Sequence, residues 1–256
     1  HAEISFVLSK SNAGNPVSKV HSDLVGDTKL AFTDALEQDV DALFLCVGHG
    51  EAKKFLAANE VNEKIKVIDL SQDFRLSTNA SIGAREFVYG LPEVNKEEIR
   101  KAKNIANPGC FATSIELGLL PLAKEGLLGD VYSTGITGST GAGQGLSPTS
   151  HFSWRSNNVQ AYKTLTHQHL NEIGEILKKL HPTGDIDLSF VPWRGDFTRG
   201  IFISSQIDCD WEEKDLMELY EDYYADHPFT HVSKDPIFLK QVVNTNKCLV
   251  QLEKVG

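Results

Sequence analysis

Cysteine is scarce in this chain of 256 residues, and its four cysteines lie far apart. Cys46, Cys110, Cys209 and Cys248 form no CxxC pair, so their spacing predicts neither a zinc site nor a disulfide framework. We therefore expect no metal cofactor. A reducing, cytoplasmic compartment fits a chain whose thiols stay free.

Basic residues are also in short supply. Lys and Arg number 25 against 35 Asp and Glu, which gives a net charge of −10. This balance argues against nucleic-acid partners and anionic membrane surfaces, because both carry negative charge. The chain also lacks an apolar run of membrane-spanning length. An anionic small-molecule substrate would need a local cluster of Arg, Lys or His against this background.

The first half of the chain alternates short apolar strands with helices. Residues 4–8, 42–47 and 67–70 are predicted strands, and residues 51–59 a helix. This order predicts an α/β Rossmann-type nucleotide-binding domain with a parallel sheet, in which ligands bind beyond the carboxyl ends of the strands. The candidate cofactor-binding residues at those ends are Ser9, Lys10, Ser11, Asn12, Gly48, His49 and Ser71. Ordinary turn chemistry is the alternative for each of them taken alone.

The second half of the chain has a different order of predicted strands and helices. Strands are predicted at 186–191 and 201–207, with one helix before them and another after them at 211–225, which indicates an α+β domain with a mostly antiparallel sheet. We place the dinucleotide-binding domain at 1–109 and the catalytic, substrate-binding domain at 110–256. Because the chain opens on the predicted strand 4–8 and closes on a predicted strand at 247–253, we expect the first domain to lack an initial segment and the second domain to lack a final one.

The chain is organised around residues 107–113, NPGCFAT. Pro108 and Gly109 break the backbone, and a helix is predicted at 115–125, so Cys110 lies where a loop becomes a helix. The N–H groups and dipole of a helix start stabilise a thiolate, lower the thiol pKa and can hold an oxyanion. This position favours Cys110 as a nucleophile over the alternative, a buried structural cysteine.

A reactive cysteine needs a proton-transfer partner, and the best candidates lie at the start of a predicted helix, 169–180. His169 and Glu172 are one helical turn apart, so the carboxylate is expected to orient the imidazole and raise its pKa. His167 lies two residues earlier. The sequence favours His169 as the acid/base and leaves the choice between the two histidines open.

The stretch 135–145, GITGSTGAGQG, is too rich in glycine to be predicted as a strand. Such a loop can bring backbone N–H groups close to a ligand, and Gly138 and Gly141 are its candidate cofactor contacts. It lacks the GxxxxGK[ST] pattern, so it is not an ATP-type P-loop. A flexible surface loop is the alternative.

Together these stretches resemble the N-acetyl-gamma-glutamyl-phosphate reductases of arginine biosynthesis, over nearly the whole chain. The matching stretches are SKSNAGNP (9–16), VIDLSQDFRL (67–76), VYGLPE (88–93), NPGCFAT (107–113), GSTGAG (138–143), HQHLNE (167–172) and FVPWRGDFTRGI (190–201). The cysteine stretch, VIDLSQDFRL and VYGLPE are specific in combination, whereas GSTGAG alone is weak.

The resemblance implies an NADPH-dependent enzyme of concrete chemistry. The Cys110 thiolate attacks an acyl phosphate, phosphate leaves, and hydride transfer to the thioester yields N-acetylglutamate 5-semialdehyde. His169, or else His167, moves the proton. The family's enzymes form dimers or tetramers, so a homodimer or homotetramer is expected. The resemblance also implies substrate contacts for Asn107, Tyr162 and Arg199.

The chain departs from the family at its start. The family's GxxGxxG dinucleotide loop does not occur in this sequence, and Lys10 stands where relatives often carry Arg. Lys10 can still pair with the 2′-phosphate of NADP. Since no Asp or Glu occupies residues 9–12 to bind a free ribose hydroxyl, we expect a preference for NADPH over NADH.

Three other functions fit parts of the pattern. An aspartate-semialdehyde dehydrogenase performs the same chemistry on a shorter substrate, but its cysteine segment differs from NPGCFAT. A thiol acyltransferase or hydrolase would use Cys110 and His169 without a redox cofactor, which the nucleotide-type strand ends disfavour. A non-catalytic relative is favoured by the absent GxxGxxG and disfavoured by the intact Cys110, His169 and Arg199.

Overall fold

The first half of the chain forms a five-stranded sheet in the computed structural model, which describes residues 2–143 and 145–255. Its elements are β1 (Val7–Leu8), β2 (Phe32–Thr33), β3 (Ala42–Leu45), α1 (Glu51–Ala58), β4 (Lys66–Asp69), β5 (Ser81–Ile82), β6 (Arg85–Tyr89), α2 (Pro92–Lys101) and β7 (Asn104–Ala106). The strand order is β3-β4-β7-β6-β5, with β5 antiparallel and the other pairings parallel. β1 and β2 form a separate parallel pair.

This sheet brings three loops to one edge. Strands β3, β4 and β7 run in the same direction, so their carboxyl ends lie side by side. Beneath that edge the core contains Val67 and a stacked pair, Phe74 and Phe87, whose ring centroids are 4.0 Å apart. β7 ends at Ala106 and leads directly into the cysteine segment, which places this segment beside the loops after β3 and β4.

The second half forms a mixed sheet covered by helices. Its elements are α3 (Cys110–Lys124), β8 (Asp130–Thr137), α4 (Phe152–Arg155), β9 (Gln160–Ala161), α5 (His169–Leu180), β10 (Asp187–Arg194), β11 (Ile201–Ile207), α6 (Glu213–Tyr224), β12 (Thr230–Ser233) and β13 (Cys248–Gln251). The main sheet has the order β11-β8-β10-β9. Two of its three pairings are antiparallel, as predicted, and the longest, β8 with β10, is parallel. β12 and β13 form a separate parallel pair.

One sequence prediction fails within this sheet. The start of the glycine-rich stretch is not a loop, because Gly135 lies inside β8, between β10 and β11. A Cβ at Gly135 would lie 2.5 Å from the Ile203 side chain and 2.8 Å from the Phe111 ring. Glycine is required here because α3 packs closely on the centre of the sheet. Gln144, which belongs to the same stretch, lies outside the described residues.

Helix α3 begins earlier than its apolar pattern predicted, at Cys110 itself. Its buried face, including Phe111, Ile115 and Leu119, packs in a core shared with Ile173 of α5. Pro121 lies inside the helix and has no N–H group. It therefore cannot donate a hydrogen bond to the carbonyl of Leu117, four residues earlier. The hydroxyl of Tyr224 donates to that carbonyl at 2.5 Å and thereby ties α6 to α3.

The predicted strands near the two ends of the chain are shorter than expected. Only Val7–Leu8 of residues 4–8 and Cys248–Gln251 of residues 247–253 pair with a neighbour. Residues 3–5 are exposed, and the apolar side chain of Ile4 therefore has little surface to pack on. Within the described ranges, no helix is both long enough and apolar enough to cross a membrane.

Candidate active site

Cys110 is the first residue of α3, preceded by Gly109 as the N-cap. The N–H groups of Cys110 and Phe111 face the thiol and lower its pKa, as predicted from the helix start. Cys110 is exposed at the surface, yet desolvation by the protein around its thiol outweighs these N–H groups, so the net direction is a raised pKa, contrary to the sequence prediction. Cys110 therefore rests as a thiol and would require a base to act as a nucleophile.

Cys110 borders a cavity of about 1080 Å³ between α3, β11 and the end of the chain. The cavity brings Cys110 together with three residues predicted from the sequence, namely Asn107, Gly141 and Arg199. Arg199 is exposed on its wall, where its guanidinium is available to an anion. Among the residues that the structure describes, no cluster of three or more His, Cys, Asp or Glu side chains has the arrangement of a metal site.

Glu172, in the first turn of α5, is the centre of the polar contacts behind Cys110. Its Oε1 accepts from Arg75 Nη1 at 3.2 Å in a buried ion pair. Its Oε2 accepts from the hydroxyl of Tyr89 and from the backbone N–H of Gly109, both at 3.0 Å. Glu172 therefore holds Gly109, the residue before Cys110. This role of Glu172 was not predicted from the sequence.

Arg75 links the loop after β4 to the cysteine segment. Besides Glu172, its guanidinium donates to the carbonyl of Asn107 at 2.8 Å and to that of Leu70 at 3.3 Å. Asn107 thus shapes the turn through its backbone, and its N–H donates to Asp69 O at 2.8 Å. The stretches VIDLSQDFRL and VYGLPE, which contain Arg75 and Tyr89, carried the signal for these two residues.

The two histidines lie together, with ring centroids 4.5 Å apart. His167 Nδ1 accepts the backbone N–H of His169 at 3.2 Å, which leaves the proton of a neutral ring on Nε2. The His167 ring packs edge-on against Phe111 and Tyr162. His167 is therefore a fixed imidazole of defined tautomer.

His169 is held differently from the prediction. Its Nε2 lies 3.7 Å from Glu172 Oε1, too far for a hydrogen bond, and its buried Nδ1 lacks a partner among the described residues. Gly109 is required beside it, because a Cβ there would lie 2.5 Å from both His169 Nε2 and Glu172 Oε1.

Both imidazoles are neutral at physiological pH. Burial lowers the pKa of His167 to about 4, with a contribution from Lys163. Burial also lowers the pKa of His169 to about 3, helped by the nearby His167, Arg75, His49 and Lys163. The prediction that Glu172 raises the pKa of His169 is wrong, because Glu172 is engaged with Arg75, Tyr89 and Gly109 and desolvation dominates.

Tyr162 lies between the histidines and an arginine. Its ring packs against His167, and the guanidinium of Arg194 lies 4.4 Å above its centroid. Burial raises the pKa of Tyr162, with the nearby Cys110 among the further causes. The structure therefore places this predicted substrate residue close to the nucleophile.

The glycine-rich loop does not offer the open row of N–H groups that was predicted. The N–H groups of Gly138, Ser139 and Thr140 donate to Gly200 O, Phe197 O and Thr198 O at 3.0, 2.9 and 3.1 Å. A Cβ at Gly138 would lie 2.6 Å from Thr198 O, so Gly138 is explained by close backbone packing. Gly141 lies in a short 3₁₀ helix, Ser139–Ala142, and lines the cavity.

The loop after β1 presents the predicted polar side chains to solvent. Lys10 and Ser11 are exposed, and Asn12 donates to Ser9 Oγ at 3.2 Å. A lysine, hydroxyls and an amide without a carboxylate form a donor set that fits a phosphate monoester, such as the 2′-phosphate of NADP.

The loops after β3 and β4 are largely bonded to one another. Gly48 and His49 are exposed, and His49 Nδ1 accepts the Gln72 N–H at 3.2 Å. Asp73 accepts from Gly50 N at 2.6 Å and Lys53 N at 3.1 Å, so the first turn of α1 is already capped by a carboxylate. Ser71 is buried and its hydroxyl donates to Asp69, so its side chain supports the loop instead of facing a ligand.

The fold and this site define a class of protein, the oxidoreductases of the semialdehyde dehydrogenase type. The chain matches the family model "Semialdehyde dehydrogenase, NAD binding domain" over residues 1–102. It matches "Semialdehyde dehydrogenase, dimerisation domain" over residues 110–256. The solved aspartate semialdehyde dehydrogenase II of Vibrio cholerae has a TM-score of 0.67 at 17% identity, over 96% of this chain and 78% of that one, which shows the shared fold.

Curated relatives narrow the class. N-acetyl-gamma-glutamyl-phosphate reductase of Phocaeicola vulgatus is 50% identical over 99% of this chain and 78% of its own length. The reductase of the same name from Flavobacterium johnsoniae is 52% identical over the same shares. The chain belongs to the N-acetyl-gamma-glutamyl-phosphate reductase family, as its motifs indicated.

Proposed function

We propose that this protein reduces an N-acetylglutamyl 5-phosphate to the 5-semialdehyde, with Cys110 as the nucleophile. The observation that carries the proposal is the start of α3, where Cys110 faces two N–H groups and its chain neighbours Gly109 and Phe111 pack against two buried, neutral histidines. A thiol beside a neutral imidazole can transfer its proton as it attacks, which is how a weakly acidic cysteine becomes nucleophilic. The alternative without acyl chemistry, a non-catalytic relative, gives no reason for this arrangement.

The reaction follows from these positions. Cys110 Sγ attacks the acyl carbon while an imidazole takes its proton, and inorganic phosphate leaves to give a thioester. The N–H groups of Cys110 and Phe111 stabilise the oxyanion. NADPH, when bound, supplies the hydride that reduces the thioester carbon. The imidazole gives its proton to the carbonyl oxygen and accepts it again when the C–S bond breaks to release the aldehyde.

Of the two histidines, we assign the proton transfer to His169. In neutral His167, Nδ1 accepts the His169 N–H and Nε2 carries the proton, so neither nitrogen can take a proton from the Cys110 thiol. His169 Nδ1 has no hydrogen-bond partner among the described residues, and its Nε2 lies 3.7 Å from Glu172, so its unprotonated nitrogen has a free lone pair. This assignment keeps the preference that helical spacing had favoured.

Ligand contacts follow the exposed cations. Lys10, with Ser9, Ser11 and Asn12, would hold the 2′-phosphate of NADP. Arg199 faces the cavity at Cys110 and would bind the phosphate or carboxylate of the substrate, and Tyr162 would contact the same substrate. The match to a dimerisation domain supports a homodimer as the working unit. A reducing cytoplasmic setting keeps the Cys110 thiol free.

The test is phosphate-dependent reduction of NADP⁺ by the full-length protein with N-acetylglutamate 5-semialdehyde. We expect turnover that requires both phosphate and NADP⁺, and at least about tenfold lower kcat/KM with aspartate semialdehyde, which lacks one methylene and the acetyl group. Faster turnover of aspartate semialdehyde would assign the protein to the other enzyme of this fold. Acyl-phosphate hydrolysis without any NADPH oxidation would indicate a thiol hydrolase.

A further inference from the structure

A single tyrosine hydroxyl faces two carboxyl groups behind the cysteine segment. The Tyr89 oxygen lies 2.9 and 3.1 Å from the two oxygens of Glu116. It also lies 3.0 Å from Glu172 Oε2. Glu116 is fully buried on α3, and Glu172 is almost as buried on α5. Glu116 lies in the middle of an apolar helix and was not predicted from the sequence as a functional residue.

The hydrogen atoms do not suffice if both carboxyl groups are ionised. Tyrosine has one hydroxyl hydrogen, which can lie on only one of these contacts, so the other would hold two oxygen atoms 2.9 or 3.0 Å apart with no hydrogen between them. Unpaired carboxylate oxygens in a buried site are strongly unfavourable. One carboxyl group must therefore carry a proton and donate it to the Tyr89 oxygen.

The surroundings decide which carboxyl group is protonated. Glu172 receives two further donors, the Arg75 guanidinium and the Gly109 N–H. For Glu116, Tyr89 is the hydrogen-bond partner that the described part of the chain provides. Burial and the charge of Glu172 raise the pKa of Glu116 to about 8, against the opposing contacts with Tyr89 and Arg75.

We infer that Glu116 is a neutral carboxylic acid that donates to Tyr89, so that Tyr89 in turn donates to Glu172 and fixes the Gly109 turn ahead of Cys110. Glu116 and Tyr89 are positioning residues, because they act through Glu172 and not on the substrate. The inference rests on the proposed function only in treating Cys110 as the nucleophile.

The arrangement predicts an alkaline limit to Cys110 reactivity. Glu116 is faced by Tyr89 from β6, Glu172 from α5 and Arg75 from the loop after β4. When Glu116 loses its proton, two anions share the Tyr89 hydrogen and the single Arg75 cation. This added negative charge weakens the hold on Gly109 and disfavours a thiolate at Cys110.

The decisive variant is Glu116→Gln, whose amide donates to Tyr89 at every pH. We would follow the rate of Cys110 alkylation by iodoacetamide against pH, using the mass of the Cys110 peptide so that the other cysteines do not interfere. The variant should match the native protein below pH 7 and become faster by about threefold or more above pH 9, where native Glu116 ionises. A variant altered severalfold at pH 6.5, or one that tracks the native protein up to pH 10, would overturn the inference.

Infrared difference spectroscopy tests the proton directly. At pH 7 the native protein should show the carbonyl stretch of a protonated carboxylic acid, and Glu116→Gln should lose it. Glu60→Gln, which removes an exposed carboxylate, is the matched control and should leave the band in place. If the native protein lacks the band at pH 7, Glu116 is ionised and the inference fails.

Tyr89→Phe tests the link between the two carboxyl groups. It should slow Cys110 alkylation and lower kcat with little change in KM. Tyr220→Phe removes another buried hydroxyl that donates to α3, at Gly118 O, and should change neither. Equal behaviour of the two variants would show a merely structural role for Tyr89. Because alkylation needs no substrate or NADPH, absence of turnover in the native protein would refute the proposed function and leave this test intact.

Discussion

Two glycine-containing turns follow strands of this protein, and they use their N–H groups in opposite ways. The turn after β7, ending at Gly109, leads into a helix whose first N–H groups face the Cys110 thiol. The turn after β8, beginning at Gly138, has its N–H groups bonded to the backbone of residues 197–200. The second turn contains more glycines than the first, so what distinguishes an anion site is which N–H groups the fold leaves open and not the glycine content.

The largest effect is expected from a substitution of Cys110, the proposed nucleophile at the turn whose N–H groups are open. Cys110→Ser should lose nearly all turnover, because a hydroxyl at neutral pH is a far weaker nucleophile than a thiolate. Cys46→Ser, at an exposed position just after β3, is the control and should keep its turnover. Steady-state kinetics with both variants checks this, and an active Cys110→Ser would remove the thioester from the mechanism.

The histidines give the next largest effect. Loss of a general acid/base costs about 10²–10⁴-fold in rate, so His169→Asn should lower kcat by that order with little change in KM. His167→Asn should lower kcat less, since its ring acts by fixing the His169 backbone N–H. Comparing kcat and KM for the two variants decides between them. If His167→Asn shows the larger loss in kcat, the assignment of the two histidines is reversed.

Alanine at the glycines compares the two turns directly. Gly109→Ala would push a methyl group to 2.5 Å from Glu172 and His169, so kcat should fall severely. Gly138→Ala would meet Thr198 O at 2.6 Å, so it should lower the free energy of unfolding by about 1–3 kcal/mol with a smaller loss in kcat. Gly141→Ala meets Thr137 Oγ1 at 3.3 Å and should be mildest. A severe loss of kcat in Gly141→Ala alone would indicate that the turn after β8, and not the turn before Cys110, binds the anion.

Acid should destabilise the folded protein through its buried histidines. Their folded-state pKa values, about 4 for His167 and about 3 for His169, lie below the unfolded value of about 6.5. The unfolded chain therefore binds more protons below pH 6.5, and stability falls as the pH drops from 6.5 towards 4.

Urea unfolding at several pH values measures this effect. His167→Asn should flatten the acid limb by an amount on the order of a few kcal/mol. His21→Asn, at an exposed position, should leave it unchanged. An acid limb of full size in the His167 variant would show that other groups cause it.

The smallest effect concerns the cofactor loop. Lys10→Ala should raise KM for NADPH by about 5–10-fold and leave KM for NADH nearly unchanged, because an exposed ion pair contributes about 1 kcal/mol. Native protein with equal kcat/KM for NADPH and NADH would contradict the role of this loop. Lys19→Ala, another exposed lysine in the same half, is the control.

The features that depend on short-range pattern could be predicted from the amino-acid sequence. Apolar runs with turn residues between them predicted the parallel sheet of the first half, and the Pro-Gly break placed Cys110 at a helix start. The specific motifs indicated the family, which the relatives confirm. These features follow from residues close together in the chain, so periodicity and turn chemistry suffice.

The hydrogen bonds and pKa values of the site depend instead on contacts between residues that are distant in sequence. Glu172 looked like the partner of His169 because they are three residues apart, yet its oxygens bind Arg75, Tyr89 and Gly109 from the other half. Gly135 was predicted to lie in a loop but lies in a strand, where Phe111 packs against it. The pKa values of Cys110 and His169 moved against the local prediction, since desolvation depends on everything that surrounds a group and not on its neighbours in sequence.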